Sequence, residues 1–124
     1  MDRRIELVIS KIKTQTAVAW DIPGLAKLVN LSSSRFRHLF KQETGISPAQ
    51  YLKDYRIRRA EKMLRTTFLS IKQILKQVGI ASNTHFVSDF KSVYGMTPTA
   101  YRRSIGRRAK RRRRRKKKSE KNRH

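Results

Sequence analysis

Residues 36–51 read FRHLFKQETGISPAQY and residues 86–101 read FVSDFKSVYGMTPTAY. At an offset of 50, Phe36, Phe40, Gly45, Pro48 and Tyr51 return as Phe86, Phe90, Gly95, Pro98 and Tyr101. In each copy two aromatic residues stand four apart, which places them on one face of a helix. A glycine follows where a helix can end in left-handed backbone. Ser47-Pro48 then has the cap-then-proline order of a helix start.

The repeat continues upstream. Ile22, Leu25, Ala26 and Val29 return as Ile71, Ile74, Leu75 and Val78 at an offset of 49, so one residue is added between Gly79 and Phe86. Asp21 and Ser70 are the expected caps of these short helices, with Trp20 and Leu69 just ahead of them. Pro23 sits in a first turn, where its missing N–H costs nothing. Trp20 is placed to staple onto Leu25. Two copies are too few for a solenoid. Each unit is a capped short helix, a tight turn near Asn30 or Gly79, and a second helix of about three turns, which is helix-turn-helix grammar. An ordinary helical pair without a nucleic-acid role shares that pattern.

Outward from the repeat, Ile5, Val8, Ile9 and Ile12 form one apolar stripe behind a cap at Asp2. The third helix spans 33–44 with Phe36, Leu39 and Phe40 inward. The fourth spans 48–65 with Tyr51, Leu52, Tyr55, Ala60, Met63 and Leu64 as its apolar positions. In the repeat's second long helix Phe86, Phe90 and Val93 face inward. The expected fold is all-α, about seven helices, with two homeodomain-like helix-turn-helix modules joined by a long central linker helix. The modules occupy about 1–47 and 66–105, the linker about 48–65.

Charge favours the nucleic-acid reading. The 124 residues hold 32 Lys+Arg, 8 Asp+Glu and no Cys, a net +24. The tail from Gly106 reads GRRAKRRRRRKKKSEKNRH, with 13 basic residues and one acid, Glu120. Residues 1–105 therefore keep a net +12. With nothing to bury and its charges in mutual repulsion, the stretch 106–124 is expected to be disordered. The chain calls for a polyanion. Without Cys there is no disulfide scaffold, Cys-containing zinc site or thiol nucleophile. No phosphate-cradling glycine loop or Ser-His-Asp arrangement is present, and the histidines are too isolated for a metal site. The expectation is no catalysis, no metal and no cofactor. No apolar run suggests a membrane span.

Several motifs in register resemble the AraC/XylS family of bacterial transcription regulators over about residues 20–105. They are Leu25-Ala26 through Leu31-Ser32, Phe36–Phe40-Lys41, Gly45, Ser47-Pro48, Tyr51-Leu52, Arg56-Ile57, Ala60 and Met63-Leu64. In the second half they are Val78-Gly79-Ile80, Ser82, His85-Phe86, Phe90-Lys91, Gly95, Thr97-Pro98 and Tyr101-Arg102. The resemblance implies two helix-turn-helix modules on one rod. Eighteen helical residues span about 27 Å, compatible with recognition helices in major grooves about one duplex turn apart. It implies a monomer on an asymmetric double-stranded DNA site.

On the first recognition helix the outward set is Ser33, Ser34, Arg37, His38 and Lys41. Ser34, Arg37 and His38 correspond to base-contacting positions of the family. Arg37 is the expected bidentate donor to a guanine edge, worth about 1–3 kcal/mol of discrimination; a phosphate contact is its alternative. On the second helix the outward set is Asn83, Thr84, Val87, Ser88 and Lys91. Asn83 reads either as an adenine contact or as an N-cap. Val87 is set to meet a thymine methyl and Thr84 a base or phosphate. Lys41, Lys91, Ser32 and Ser82 are expected on phosphates. Relatives frequently carry Arg where Ser88 stands, and Asp89 would repel phosphate if it faced the groove, so the second half is expected to bind more weakly. Arg56, Arg58 and Arg59 are expected to be mostly structural, one of them pairing with Asp54 or Glu61.

By the same resemblance the chain is like the stand-alone MarA/SoxS-type members: a cytoplasmic, nucleoid-associated activator that recruits RNA polymerase. The tail is not a family feature. It is expected to raise non-specific phosphate affinity. The rival reading is a non-specific nucleoid or RNA-binding protein dominated by that tail, and a further rival is adhesion of the polybasic segment to anionic membrane.

Overall fold

A computed structural model describes residues 1–121, and among them the chain is all-α. Its helices are α1 (Arg3–Thr14), α2 (Ile22–Leu28), α3 (Ser33–Thr44), α4 (Pro48–Thr66), α5 (Ile71–Val78), α6 (Asn83–Tyr94) and α7 (Pro98–Lys121). Six of them start on a side chain that accepts a free backbone N–H: Asp2, Asp21, Ser32, Ser47, Ser70 and Ser82. Thr97 Oγ1 does the same for Ala100 at the head of α7. Ser70 and Gln73 form a reciprocal capping box, which satisfies two orphan donors at once. Helices α3, α5 and α6 end on Gly45, Gly79 and Gly95 at φ of 84°, 77° and 77°, and the α2–α3 turn bends through Asn30 at φ 56°.

Two cores lie side by side along α4. The first gathers Ile5, Val8, Ile12, Leu25, Ala26, Phe36, Phe40 and Leu52. The second gathers Ile57, Ala60, Leu64, Ile74, Leu75, Val78, Phe86 and Phe90. Helix α4, about 28 Å long, contributes Leu52 to one and Ile57, Ala60 and Leu64 to the other, so both cores are built on one rod. The aromatic repeat survives in three dimensions: Phe40 meets Tyr51 edge-on at 5.4 Å, and Phe90 meets Tyr101 edge-on at 5.4 Å.

Three sequence expectations about packing need correction. Ile57, absent from the expected apolar positions of α4, is 3% exposed. Val93, expected inward, is 59% exposed. The neighbouring Tyr94 closes that end of the core instead, its ring 4.6 Å from Phe90 and 5.5 Å from Tyr101; the broader aromatic surface wins the site. None of Arg56, Arg58 and Arg59 pairs with Asp54 or Glu61. Arg56 donates from Nη2 to the Trp20 carbonyl at 3.0 Å, and Arg58 to the Asp54 carbonyl one turn back at 3.3 Å. Asp54 accepts from Gln50 Nε2 at 2.8 Å.

Glu61 ties the linker helix to the second module. Its Oε1 accepts from Arg65 Nε at 2.8 Å and from the Tyr101 hydroxyl at 2.7 Å. The Arg65 bond lowers its carboxyl below the ordinary carboxylate value against an opposing effect of burial, and the Tyr101 hydroxyl lowers it further. Arg102 fastens the same joint. Its guanidinium donates to the carbonyls of Leu64, Thr67 and Leu69, gathering the α4–α5 loop. Arg56 and Arg102 thus do one job in two places: each binds the carbonyl just before the cap of a short helix, Trp20 before Asp21 and Leu69 before Ser70.

The stretch expected to be disordered is helical over its described residues. α7 continues through Lys121, while 122–124 lie outside the described residues. Arg, Lys and Ala are strong helix formers, and no proline or β-branched residue follows Ile105. The helix also extends from a packed turn, so no fresh nucleation is required.

Candidate nucleic-acid interface

Ser32 opens α3 and Ser82 opens α6, and the two helices present corresponding side chains at an offset of 50: Ser33 with Asn83, Ser34 with Thr84, Arg37 with Val87, His38 with Ser88 and Lys41 with Lys91. Phe36 and Phe40 anchor α3, and Phe86 and Phe90 anchor α6. Burying those rings turns the opposite face outward. Ser34, Arg37, His38 and Lys41 are exposed on α3, and Asn83, Thr84, Ser88 and Lys91 on α6. Ser33, Ser82 and Val87 are half-buried.

The two outward faces differ in chemistry. That of α3 carries Arg37, His38 and Lys41. It continues into a hollow of about 450 Å³ lined by Arg4, Leu31, Ser34, Arg35, His38, Leu39 and Gln42. Arg4, Arg35 and Gln42 were not among the expected residues. Gln42 stands four beyond His38 on the same face, a spacing the sequence showed, whereas Arg4 comes from α1 and only folding brings it there. Asp2 holds Arg4 by a 3.0 Å ion pair.

On α6 the structure divides the expected set. Asn83 is the first helical residue and Ser82 the cap, its Oγ accepting from His85 N at 3.4 Å; the cap alternative for Asn83 falls away. Asn83 and Val87 border a largely apolar hollow of about 780 Å³ with Ile71, Leu75, Ile80 and Pro98. Thr84, Ser88 and Lys91 are not among its lining residues. Lys72 and Lys76 of α5 also border it, two cations four apart that sequence reading passed over. Leu75, bulkier than its counterpart Ala26, is buried beneath this hollow.

Asp89 is resolved by its partner. Its Oδ1 lies 3.1 Å from Lys53 Nζ on α4, so the carboxylate is neutralised from the linker. Asp89 and His85 line a cleft of about 410 Å³ between the modules, together with Trp20, Ile22, Lys53 and Arg56. Burial lowers the Arg56 guanidinium from its ordinary value, but its hydrogen bond to Trp20 keeps it committed to the fold.

A family model described as a helix-turn-helix domain matches residues 25–104. The chain belongs to the AraC-type helix-turn-helix family. It is 35% identical over 103 residues to the arabinose operon regulatory protein of Escherichia coli K12, covering 82% of this chain and 35% of that protein. It is 33% identical over 104 residues to an uncharacterized HTH-type transcriptional regulator of Haemophilus influenzae, covering 84% of this chain and 35% of that one. The chain thus spans about a third of the length of the curated relatives it matches. Among solved structures it resembles the C-terminal domain of the response regulator yesN from Fusobacterium nucleatum, with a TM-score of 0.75, 30% identity, and coverage of 82% of this chain and 99% of that one. It also resembles the DNA-binding domain of AdpA, a global transcriptional factor solved in complex with a target DNA. There the TM-score is 0.79, the identity 25%, and the coverage 85% and 95%. The relatives are regulators and not enzymes.

Proposed function

We propose that this domain binds double-stranded DNA sequence-specifically as a transcription regulator, setting α3 and α6 into adjacent major grooves on one side of the duplex. The observation that carries this reading is the pairing of two recognition-type helices, each with an aromatic inner face and an exposed polar outer face, on the single rod α4. Arg37 reads a guanine edge, with Ser34 and His38 beside it, and Thr84 and Ser88 supply the second contact with Asn83 and Val87 on its flank. Ser33, Lys41, Ser82 and Lys91 hold phosphates. The α3 half, whose outward face carries Arg37 and His38 where α6 has Val87 and Ser88, supplies most of the specificity.

One chain makes both groove contacts, so it binds as a monomer to an asymmetric site of about 15–20 base pairs. The likeness to named activators, such as the RhaR activator of Mannheimia succiniciproducens at 30% identity over 99 residues, supports an activating role that recruits RNA polymerase. Such a protein works on nucleoid DNA in the cytoplasm. No helix among the described residues is long and apolar enough to cross a membrane.

Selection of bound duplexes from a random pool by the full chain tests the reading. The expected product is a bipartite motif with half-sites about one helical turn apart. A pool that stays random after selection defeats it. That outcome favours the second reading, a non-specific nucleic-acid binder, which the run of cations after Gly106 supports.

A further inference from the structure

Beyond Ile105, α7 leaves the body of the protein. Every residue from Gly106 to Ser119 is exposed, and the last side-chain hydrogen bond among the described residues is that of Ser104 to the Tyr101 carbonyl. Helical spacing stacks Arg107 over Arg111, Arg108 over Arg112 and Lys110 over Arg114, and the series runs on to Arg114 over Lys118. Like charges one turn apart oppose a helix. A helix polar on all sides, with Glu120 as the single acid among its cations, has too few opposite charges to pair and does not stand by itself.

Beyond Gly106, everything else about the segment favours winding. Its residues are strong helix formers, and neither Gly nor Pro interrupts it between Arg107 and Lys121. Its base is anchored by Tyr101 and Arg102. Gly106 at the base aside, charge is therefore the chief obstacle, and a counter-charge removes it. From Arg107 to Lys118 only Ala109 is not basic. Wound as α-helix, that run carries one positive charge per about 1.6 Å. Duplex DNA carries one negative charge per ~1.7 Å of its axis, and a single strand one per ~3.4 Å. Unwound and extended, the same run spreads its charges to about 3.6 Å apart, which no longer matches the duplex. The first turn of the same helix, Thr97 to Thr99, borders the hollow beside Asn83 and Val87 of α6.

We propose that residues 106–121 form a phosphate-dependent helix: wound against the backbone of duplex DNA, loosened away from it, and so a second, sequence-independent contact whose folding is coupled to binding. This rests on the duplex-DNA reading above and adds to it a mechanism for the arm. It makes the arm sense the form of the nucleic acid as well as its charge.

The test titrates the full chain with a random-sequence duplex and follows far-ultraviolet circular dichroism and affinity together. Arg113→Pro and Arg113→Ala remove the same charge, but only the first breaks the helix. The helical signal is expected to rise on adding duplex for the wild type and Arg113→Ala, and to stay flat for Arg113→Pro. Arg113→Pro is expected to bind about tenfold more weakly than Arg113→Ala. Gly106→Ala, whose new Cβ meets nothing within 4 Å, is expected to bind about fivefold more tightly by its gain in helix propensity. Equal affinities of the two Arg113 variants would overturn the proposal. So would a helical signal already complete without polyanion, or a rise produced as strongly by single-stranded DNA, by RNA or by phosphatidylglycerol vesicles as by duplex. Failure here with a motif still enriched in selection removes the coupled arm alone; coupling intact with no motif enriched removes the operator reading alone.

Discussion

At the residue scale, three glycines share a left-handed φ but not a fate. A Cβ on Gly79 would stand 2.7 Å from the Val18 carbonyl oxygen and 3.0 Å from that of Thr16, whereas Gly45 and Gly95 have nothing within 4 Å. Gly45→Ala and Gly95→Ala should each cost about 1 kcal/mol through backbone strain. Gly79→Ala should cost at least about 2 kcal/mol, since it also pushes the α1–α2 loop off the second module. Urea unfolding of the three variants checks this, and equal costs would show that the Val18 contact does not constrain the fold. At the interface, Arg37→Ala should lose about 1–3 kcal/mol of affinity for a selected site and relax the preference at one base pair. Larger losses for Thr84→Ala and Val87→Ala, measured on the same site, would reverse the assignment of the stronger half.

At the element scale, α5 is short and depends on its ends. It has 8 residues, a capping box at Ser70–Gln73 and a left-handed stop at Gly79. Removing the cap with Ser70→Ala should cost about 1 kcal/mol, read as a lower denaturant midpoint with an unchanged slope. Helix α4 is tied to α7 through Glu61, whose carboxyl is depressed by Arg65 and Tyr101. A depressed folded value means that this stabilisation is present above the ordinary value of 4.5 and is lost as pH falls through the lower folded value. Stability should therefore drop as pH falls below 4.5 toward the depressed folded value, and Glu61→Gln should flatten part of the drop. A variant with the wild-type acid profile would place the acid sensitivity elsewhere.

At the scale of the whole molecule, the spacing of the recognition helices rests on few parts. Helix α4 enters both cores, the Lys53–Asp89 pair ties linker to α6, and Val18 lies against Gly79. Each core is small, so Ile74→Ala or Phe36→Ala, both in fully buried positions, should cost about 2–5 kcal/mol. If the shared rod makes the two modules unfold together, either variant should lower one common transition. Two separated transitions in calorimetry would show modules that fold independently, and the fixed groove spacing would then need another source.

The sequence alone determined what local chemistry determines. The aromatic pairs four apart, the caps at Asp21, Ser47 and Ser70, and the glycine stops are one- to four-residue signals, and they marked the helices and the inner face of each recognition helix. Partners far apart in the chain were beyond that reach. Asp89 looked like a liability until folding set Lys53 beside it, and Val93 had the right period but lost its place to Tyr94. Arg56 found a backbone carbonyl 36 residues away instead of a neighbouring carboxylate, and Arg102 found carbonyls 33 to 38 residues away. Arg4 reached the α3 hollow from another helix. Periodicity names a face, and only the packing of other elements decides what that face meets.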